Sequence, residues 1–221
     1  MNLSEEVERL KRALRDPLPG HAVLAELSGY PRPPVEHALR LEPTPQASAV
    51  LVLLYPKEEQ LHTMLMLRPE YAGVHSGQIG FPGGKQEPGD ASLLHTALRE
   101  FNEETGASTD GVDIQGSLSP IHIPPSRTIV TPFIGYVGQL GDLDPDPLEV
   151  AALIETPVKE LLRPTILKRK FHHVPLLGGE VEIPYYDVQG HVVWGATAMM
   201  IAELRELFLR LRDTQTGEQL G

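Results

Sequence analysis

Apolar residues recur at Leu3, Val7, Leu10 and Leu14, a spacing that turns one helix face toward a core, so the chain is predicted to begin with a short amphipathic helix. The pattern then breaks. Residues 17–46 carry many prolines ("PLPG", "YPRPPVEH", "EPTPQ") and read as an irregular arm crossing the surface. Two strand-length runs follow, the continuous apolar "SAVLVLLY" (48–55) and "LHTMLMLR" (61–68), and the charged turn "PKEEQ" between them predicts a hairpin. A helix is expected over 91–105, with Leu94, Ala97, Leu98 and Phe101 as its apolar stripe, Asp90 as its N-cap and Gly106 as its left-handed stop. Strands are expected over 114–123 and 128–139, separated by the Pro-Pro-Ser corner at 124–126. "PLEVAALIETPVKELL" (147–162) reads as helical stretches interrupted by Pro157. "KFHHVPLL", "EVEIPYYDV" and "HVVWG" read as strands, and 196–211 as a closing amphipathic helix. Strands on both sides of a helix argue for a mixed α/β domain.

A length of 221 residues suits one domain. The expected division is a helix and Pro-rich arm at 1–46 packed on a domain at 47–212, with a flexible tail at 213–221. With 19 Lys and Arg against 30 Asp and Glu, the formal charge of −11 repels polyanions, so no nucleic-acid partner is expected. The absence of Cys excludes disulfides, thiolate zinc sites and a Cys nucleophile. "MNLSEEVERLKRALRD" has no apolar signal-peptide core, and no run approaches the ~18 apolar residues of a membrane span. A cytoplasmic protein with no membrane partner is expected. Apolar positions in the first and last helices leave monomer and homodimer both open.

Three glutamates, Glu100, Glu103 and Glu104, crowd the end of the 91–105 helix. At about 100° per residue they share one flank. Like charges at these spacings repel, and carboxylates in a last turn face the negative end of the helix dipole, at a cost of roughly 0.3–1 kcal/mol each. A hard divalent cation removes both penalties, because Mg²⁺ and Mn²⁺ favour carboxylate oxygen and bridge to phosphates. The preceding "FPGG" lets backbone groups approach an anion or offer a carbonyl to a metal. Trp194 and Phe171 are expected in the core, and Tyr185 and Tyr186 are read as structural strand aromatics.

"GGKQEPGDASLLHTALREFNEETGA" resembles the signature of the Nudix hydrolases, with Gly84, Arg99, Glu100, Glu103, Glu104 and Gly106 in matching positions. Asp90 stands at the first acidic position, separated from Arg99 by eight residues where the signature has seven. Upstream, "LMLRPEYAGVHSGQIGFPGGK" is similar to the segment before that box in coenzyme A pyrophosphatases, on Arg68, His75, Gly77, Gln78, Phe81, Pro82, Gly83 and Gly84; Met66, Pro69 and Gly73 depart from it. The resemblance implies an α/β/α sandwich with a mixed sheet and N- and C-terminal helical extensions. It implies Mg²⁺ or Mn²⁺ held mainly by Glu100 and Glu104, with help from Glu103 and the Gly84 carbonyl, and Arg99 orienting the glutamates. Glu103 or Glu149, in the acidic loop "GDLDPDPLEV", is the expected base, and Arg68, His75, Gln78 and Gly83 are the expected substrate contacts. The implied reaction is cleavage of coenzyme A or acyl-coenzyme A to 4′-phosphopantetheine, or its acyl form, and adenosine 3′,5′-bisphosphate. The three departures keep open a small-molecule nucleotide substrate such as ADP-ribose or another nucleoside diphosphate derivative. A non-catalytic ligand-binding module is the remaining alternative.

Overall fold

The computed structural model describes residues 3–27, 34–72, 75–174 and 178–218. In chain order its elements are α1 (Leu3–Ala13), α2 (His21–Leu27), α3 (Val35–Ala38), β1 (Gln46–Lys57), β2 (Gln60–Leu67), β3 (Ile79–Gly80), β4 (Gly83–Lys85), α4 (Leu93–Thr105), β5 (Asp113–Ser117), β6 (Ile121–Ile123), β7 (Thr128–Tyr136), β8 (Ala152–Pro157), α5 (Val158–Leu161), β9 (Leu167–Val174), β10 (Gly179–Val188), β11 (His191–Val193) and α6 (Gly195–Glu218).

The central strand explains the layering. Along β1, Ala49, Leu51, Leu53 and Tyr55 join a core with Ala97 and Phe101 of α4. Val52 and Leu54, which alternate with them, join a second core with residues of α1, α2 and α6. A strand buried on both faces needs a continuous apolar run rather than an alternating one, which is why "SAVLVLLY" has one. The result is a sheet between two helical layers, the α/β/α arrangement expected. The sheet is mixed: β1 runs antiparallel to β2 and β4 and parallel to β7.

The hairpin, the amphipathic first helix and the strands after α4 form as expected, with 114–123 split into β5 and β6. Other expectations are corrected. The arm at 17–46 contains α2 and α3, with residues 28–33 outside the described set. The segment at 147–162 is not two broken helices. Ala152–Pro157 forms a strand because β2 offers it a free edge (Leu65↔Ile154), and one helical turn follows. α6 runs on to Glu218 rather than ending at 211. Residues 219–221 of the expected tail, and 175–177 of "KFHHVPLL", lie outside the described residues.

Strands β9, β10 and β11 form a separate antiparallel sheet, and Tyr186, Val188 and Val193 from it join the core that includes α6. On α6, the fully buried Glu203 accepts hydrogen bonds from Gly20 N at 2.8 Å and from Ser119 N and Oγ, each at 2.7 Å. This carboxylate fastens the N-terminal arm and the β5–β6 connection to the C-terminal helix. No helix among the described residues is long and apolar enough to cross a membrane.

Candidate active site

The acidic helix is capped by Ser92, not by Asp90. Ser92 is extended (φ −164°, ψ 167°) and its Oγ accepts from His95 N at 3.1 Å. At the other end Gly106 adopts φ 73° and donates to Asn102 O at 2.8 Å, the stop the sequence predicts. Asp90 instead receives Arg99 through both oxygens, from Nε at 2.9 Å and Nη2 at 3.0 Å, and accepts from Thr96 Oγ1 and Glu87 N, both at 2.9 Å. The Arg99 guanidinium holds this carboxyl well below the usual carboxylate range. Fixed in this way, Arg99 reaches Glu103 at 2.7 Å, Glu100 at 2.9 Å and the Lys85 carbonyl at 3.3 Å. One cation therefore pairs with two box glutamates and offsets the repulsion between them.

Glu104 is buried, with 2% of its side chain exposed, and its Oε2 accepts from Gly83 N at 2.7 Å. Its other oxygen lies 3.4 Å from Arg68, whose Nη2 also donates to Gly83 O at 3.2 Å. Burial nevertheless pushes the Glu104 carboxyl up to about 7, against the opposing pull of Arg68 and Gly83, with Glu100 and Glu149 pushing the same way as burial. Glu100 is raised mainly by burial as well. Gly84 is what brings Glu100 in. A Cβ on residue 84 would lie 2.4 Å from the Glu100 carboxyl, so only glycine allows the carboxylate to rest against the backbone there. Gly83 (φ 153°) is required for another reason, because a Cβ would meet the Ala49 carbonyl at 2.3 Å.

These groups line one wall of a cavity of about 1290 Å³. Glu149 also lines it, from the loop whose turn closes with Val150 N donating to Asp146 O at 2.8 Å, near enough to Glu100 and Glu104 to raise both carboxyls. His75 and Gln78 line it from a tight turn in which His75 has φ 72° and its Nδ1 lies 3.0 Å from Gln78 Oε1. Arg68 lines the wall through its contacts with Glu104 and Gly83, and both backbone polar groups of Gly83 are engaged within the protein. Glu103 is not brought in: its side chain is 53% exposed and it is not among the described residues that line the cavity. Of the departures upstream, Met66 is buried within β2, Pro69 lines the cavity, and Gly73 lies outside the described residues.

Two aromatic expectations fail. Phe171 is 71% exposed, because β9 is an edge strand and presents that side chain outward. Trp194 is only half-buried and lines the cavity with His172, the two rings 4.5 Å apart and tilted by 59°. Tyr186 is buried with Arg205 over its ring at 5.4 Å, in keeping with a structural role.

Residues 45–177 match the family described as NUDIX domain. The chain belongs to the Nudix family. Among curated proteins it is 32% identical over 167 residues to the uncharacterised Nudix hydrolase NudL of Photorhabdus laumondii, covering 76% of this chain and 87% of that one. It is 35% identical over 162 residues to NudL of Yersinia enterocolitica, covering 72% and 80%. Among solved structures, a MutT/nudix family protein from Enterococcus faecalis superposes with a TM-score of 0.50 at 18% identity, covering 95% of this chain and 74% of that one, a likeness of fold. The chain is therefore a Nudix hydrolase, acting on nucleoside diphosphate derivatives, and Nudix hydrolases generally use divalent metal ions.

The residues present fit such an ion. Glu100 and Glu104 are oxygen donors, charge-strained by one another and by Glu149, and the Gly84 cradle keeps the Glu100 carboxylate against the backbone. No three His, Asp or Glu side chains among the described residues converge into a closed cage.

Proposed function

We propose that this Nudix hydrolase is a cytoplasmic diphosphatase for coenzyme A or acyl-coenzyme A. It releases 4′-phosphopantetheine, or the acyl form, and adenosine 3′,5′-bisphosphate. The observation that carries the reading is the size and make-up of the cavity. The carboxylate wall and the His75–Gln78 turn line one space of about 1290 Å³, large enough for an extended nucleotide derivative. Part of its lining is apolar, with Ile123, Pro125 and Val130, and suits a pantetheine arm. Another part carries the aromatic and basic groups His172, His173 and Trp194 and suits a nucleotide.

A divalent cation, Mg²⁺ or Mn²⁺, bound at Glu100 and Glu104 with the Gly84 carbonyl, supplies charge neutralisation and a more acidic water. The protein's own residues do the rest. Asp90 locks Arg99, and Arg99 holds Glu100 in place. Arg68 and Gly83 N hold Glu104 as an oriented carboxylate. His75 and Gln78, fixed by their mutual contact, bind the substrate beside the phosphates. Glu149 lines the same cavity near the box carboxylates and takes the proton from the water that attacks phosphorus as the bridging P–O bond breaks.

The test is chromatographic product analysis after incubation with coenzyme A, ADP-ribose and a dinucleotide, each with Mg²⁺, Mn²⁺ or chelator. Adenosine 3′,5′-bisphosphate is expected from coenzyme A with metal and not with chelator. Equal or faster turnover of ADP-ribose removes the coenzyme A assignment while leaving the chemistry in place.

A further inference from the structure

We infer that Trp194 and His172 form the wall on which the nucleobase of the substrate stacks. The proposal rests on the reading of the protein as a hydrolase of nucleoside diphosphate derivatives, and it assigns two parts of the cavity lining to the two ends of the substrate. Trp194 follows β11, which packs beside β3, and Thr197 on the next element ties to that strand by donating from Oγ1 to Ile79 O at 3.0 Å. β3 leads directly through Phe81 and Pro82 into Gly83 and Gly84. The ring pair therefore stands beside the strand that leads into the phosphate-side backbone. A separate part of the lining, Ile123, Pro125 and Val130, comes from β6, β7 and their connection.

The chemistry of these two parts of the lining separates them. A half-buried indole and an imidazole 4.5 Å apart line the cavity together, and each purine or pyrimidine has a π-face to stack on such rings. Burial, with Lys170 and His173 nearby, holds the His172 ring below its ordinary pKa, so it offers a neutral surface to a base. His173 also lines the cavity, and Lys170 of the same strand, β9, sits 5.8 Å from the ring of Tyr185 on β10. In a chain of net charge −11, this basic stretch beside the ring pair suits the phosphate or ribose attached to a base, not a thiol arm.

The sequence contains a single tryptophan, so its emission reports on this wall alone. The experiment titrates the full-length wild-type protein, in chelator to prevent turnover, with adenosine 3′,5′-bisphosphate and separately with 4′-phosphopantetheine. Binding is followed in parallel by calorimetry. Saturable quenching by the nucleotide and none by 4′-phosphopantetheine is expected. Calorimetric binding of the nucleotide with no change in emission overturns the proposal, as does equal quenching by 4′-phosphopantetheine. In turnover assays His172→Ala and Trp194→Ala should raise KM for the nucleotide substrate, each by roughly five- to 150-fold, with a much smaller effect on kcat, and Trp194→Phe should restore most of the loss. An unchanged KM in folded His172→Ala and Trp194→Ala rejects the wall. If coenzyme A proves not to be the substrate but ADP-ribose does, the same titration with AMP tests the wall independently, since both substrates carry adenine.

Discussion

Glu104 combines burial, two like-charged neighbours and a single weakly placed cation. Its folded-state value of about 7 lies above the 4.5 of an ordinary glutamate. The folded state therefore holds this proton more tightly than the unfolded one. The associated stability is complete below pH 4.5 and is lost as pH rises through about 7, with a span on the order of 3 kcal/mol. In chelator, the Tm of the wild type should fall between pH 5 and pH 8 by several degrees more than that of Glu104→Gln. Mn²⁺ should restore the wild type more than the variant at the upper end. An identical pH profile for the two proteins refutes this account of the carboxylate. Glu104→Gln should also lose at least about a hundredfold in kcat while keeping its fold by circular dichroism, since it removes ligand charge and relieves repulsion. Glu149→Gln should lower kcat by roughly 10²–10⁴-fold without weakening Mn²⁺ binding, and Glu103→Gln by much less, because Glu103 stands outside the cavity; steady-state kinetics with a Mn²⁺ titration checks both. The box carboxylates were legible because their spacing conflicts with ordinary helix electrostatics. Asp90 was not: two cap-competent residues stand near the helix start, and which one Arg99 captures depends on a side chain reaching back from two turns later.

At the scale of elements, adjacent glycines in β4 have different requirements. In Gly84→Ala the new methyl meets the flexible end of Glu100, so the carboxylate is displaced and activity should fall by roughly 10–100-fold with Tm little changed. In Gly83→Ala it meets the backbone of Ala49 and Val50 in the central strand, so the loss should appear first as lowered Tm. Thermal melts and kcat/KM on the two variants decide between these outcomes, and equal behaviour refutes the distinction. β8 shows where local reading ends. "ALIETP" lies in a stretch rich in helix formers, and only its pairing with β2 makes it a strand, information held by residues about ninety positions away. Phe171 and Trp194 were assigned to the core for the ordinary reason that strand aromatics are usually buried. Their strands belong to a second sheet whose edge faces outward and whose loop end faces the cavity, an arrangement that local pattern does not encode.

At the scale of the whole molecule, the two helical layers were expected from the alternation of strands and helices, but the clasp between the ends of the chain was not. Glu203 stands in an amphipathic helix that also carries Arg205 and Glu206, so its charge does not mark it as buried, and its partners are the distant Gly20 and Ser119. Glu203→Ala leaves those donors buried and unpaired, and should cost about 3 kcal/mol or more, measured by denaturant unfolding, with Glu203→Gln intermediate. Limited proteolysis between α1 and α2 should quicken in the alanine variant, and an unchanged cleavage rate would show that the arm is held by its apolar contacts alone. The clasp also fixes an order in time. α1 and α2 pack on α6, which begins at Gly195, so a ribosome adding ~5–20 residues per second leaves the first helices waiting on the order of ten seconds for their partner. Throughout that interval the faces of α1 and α2 that meet α6 stand open on the nascent chain. These two helices are thus among the last parts to be fully covered, and a segment that a chaperone has a long opportunity to hold.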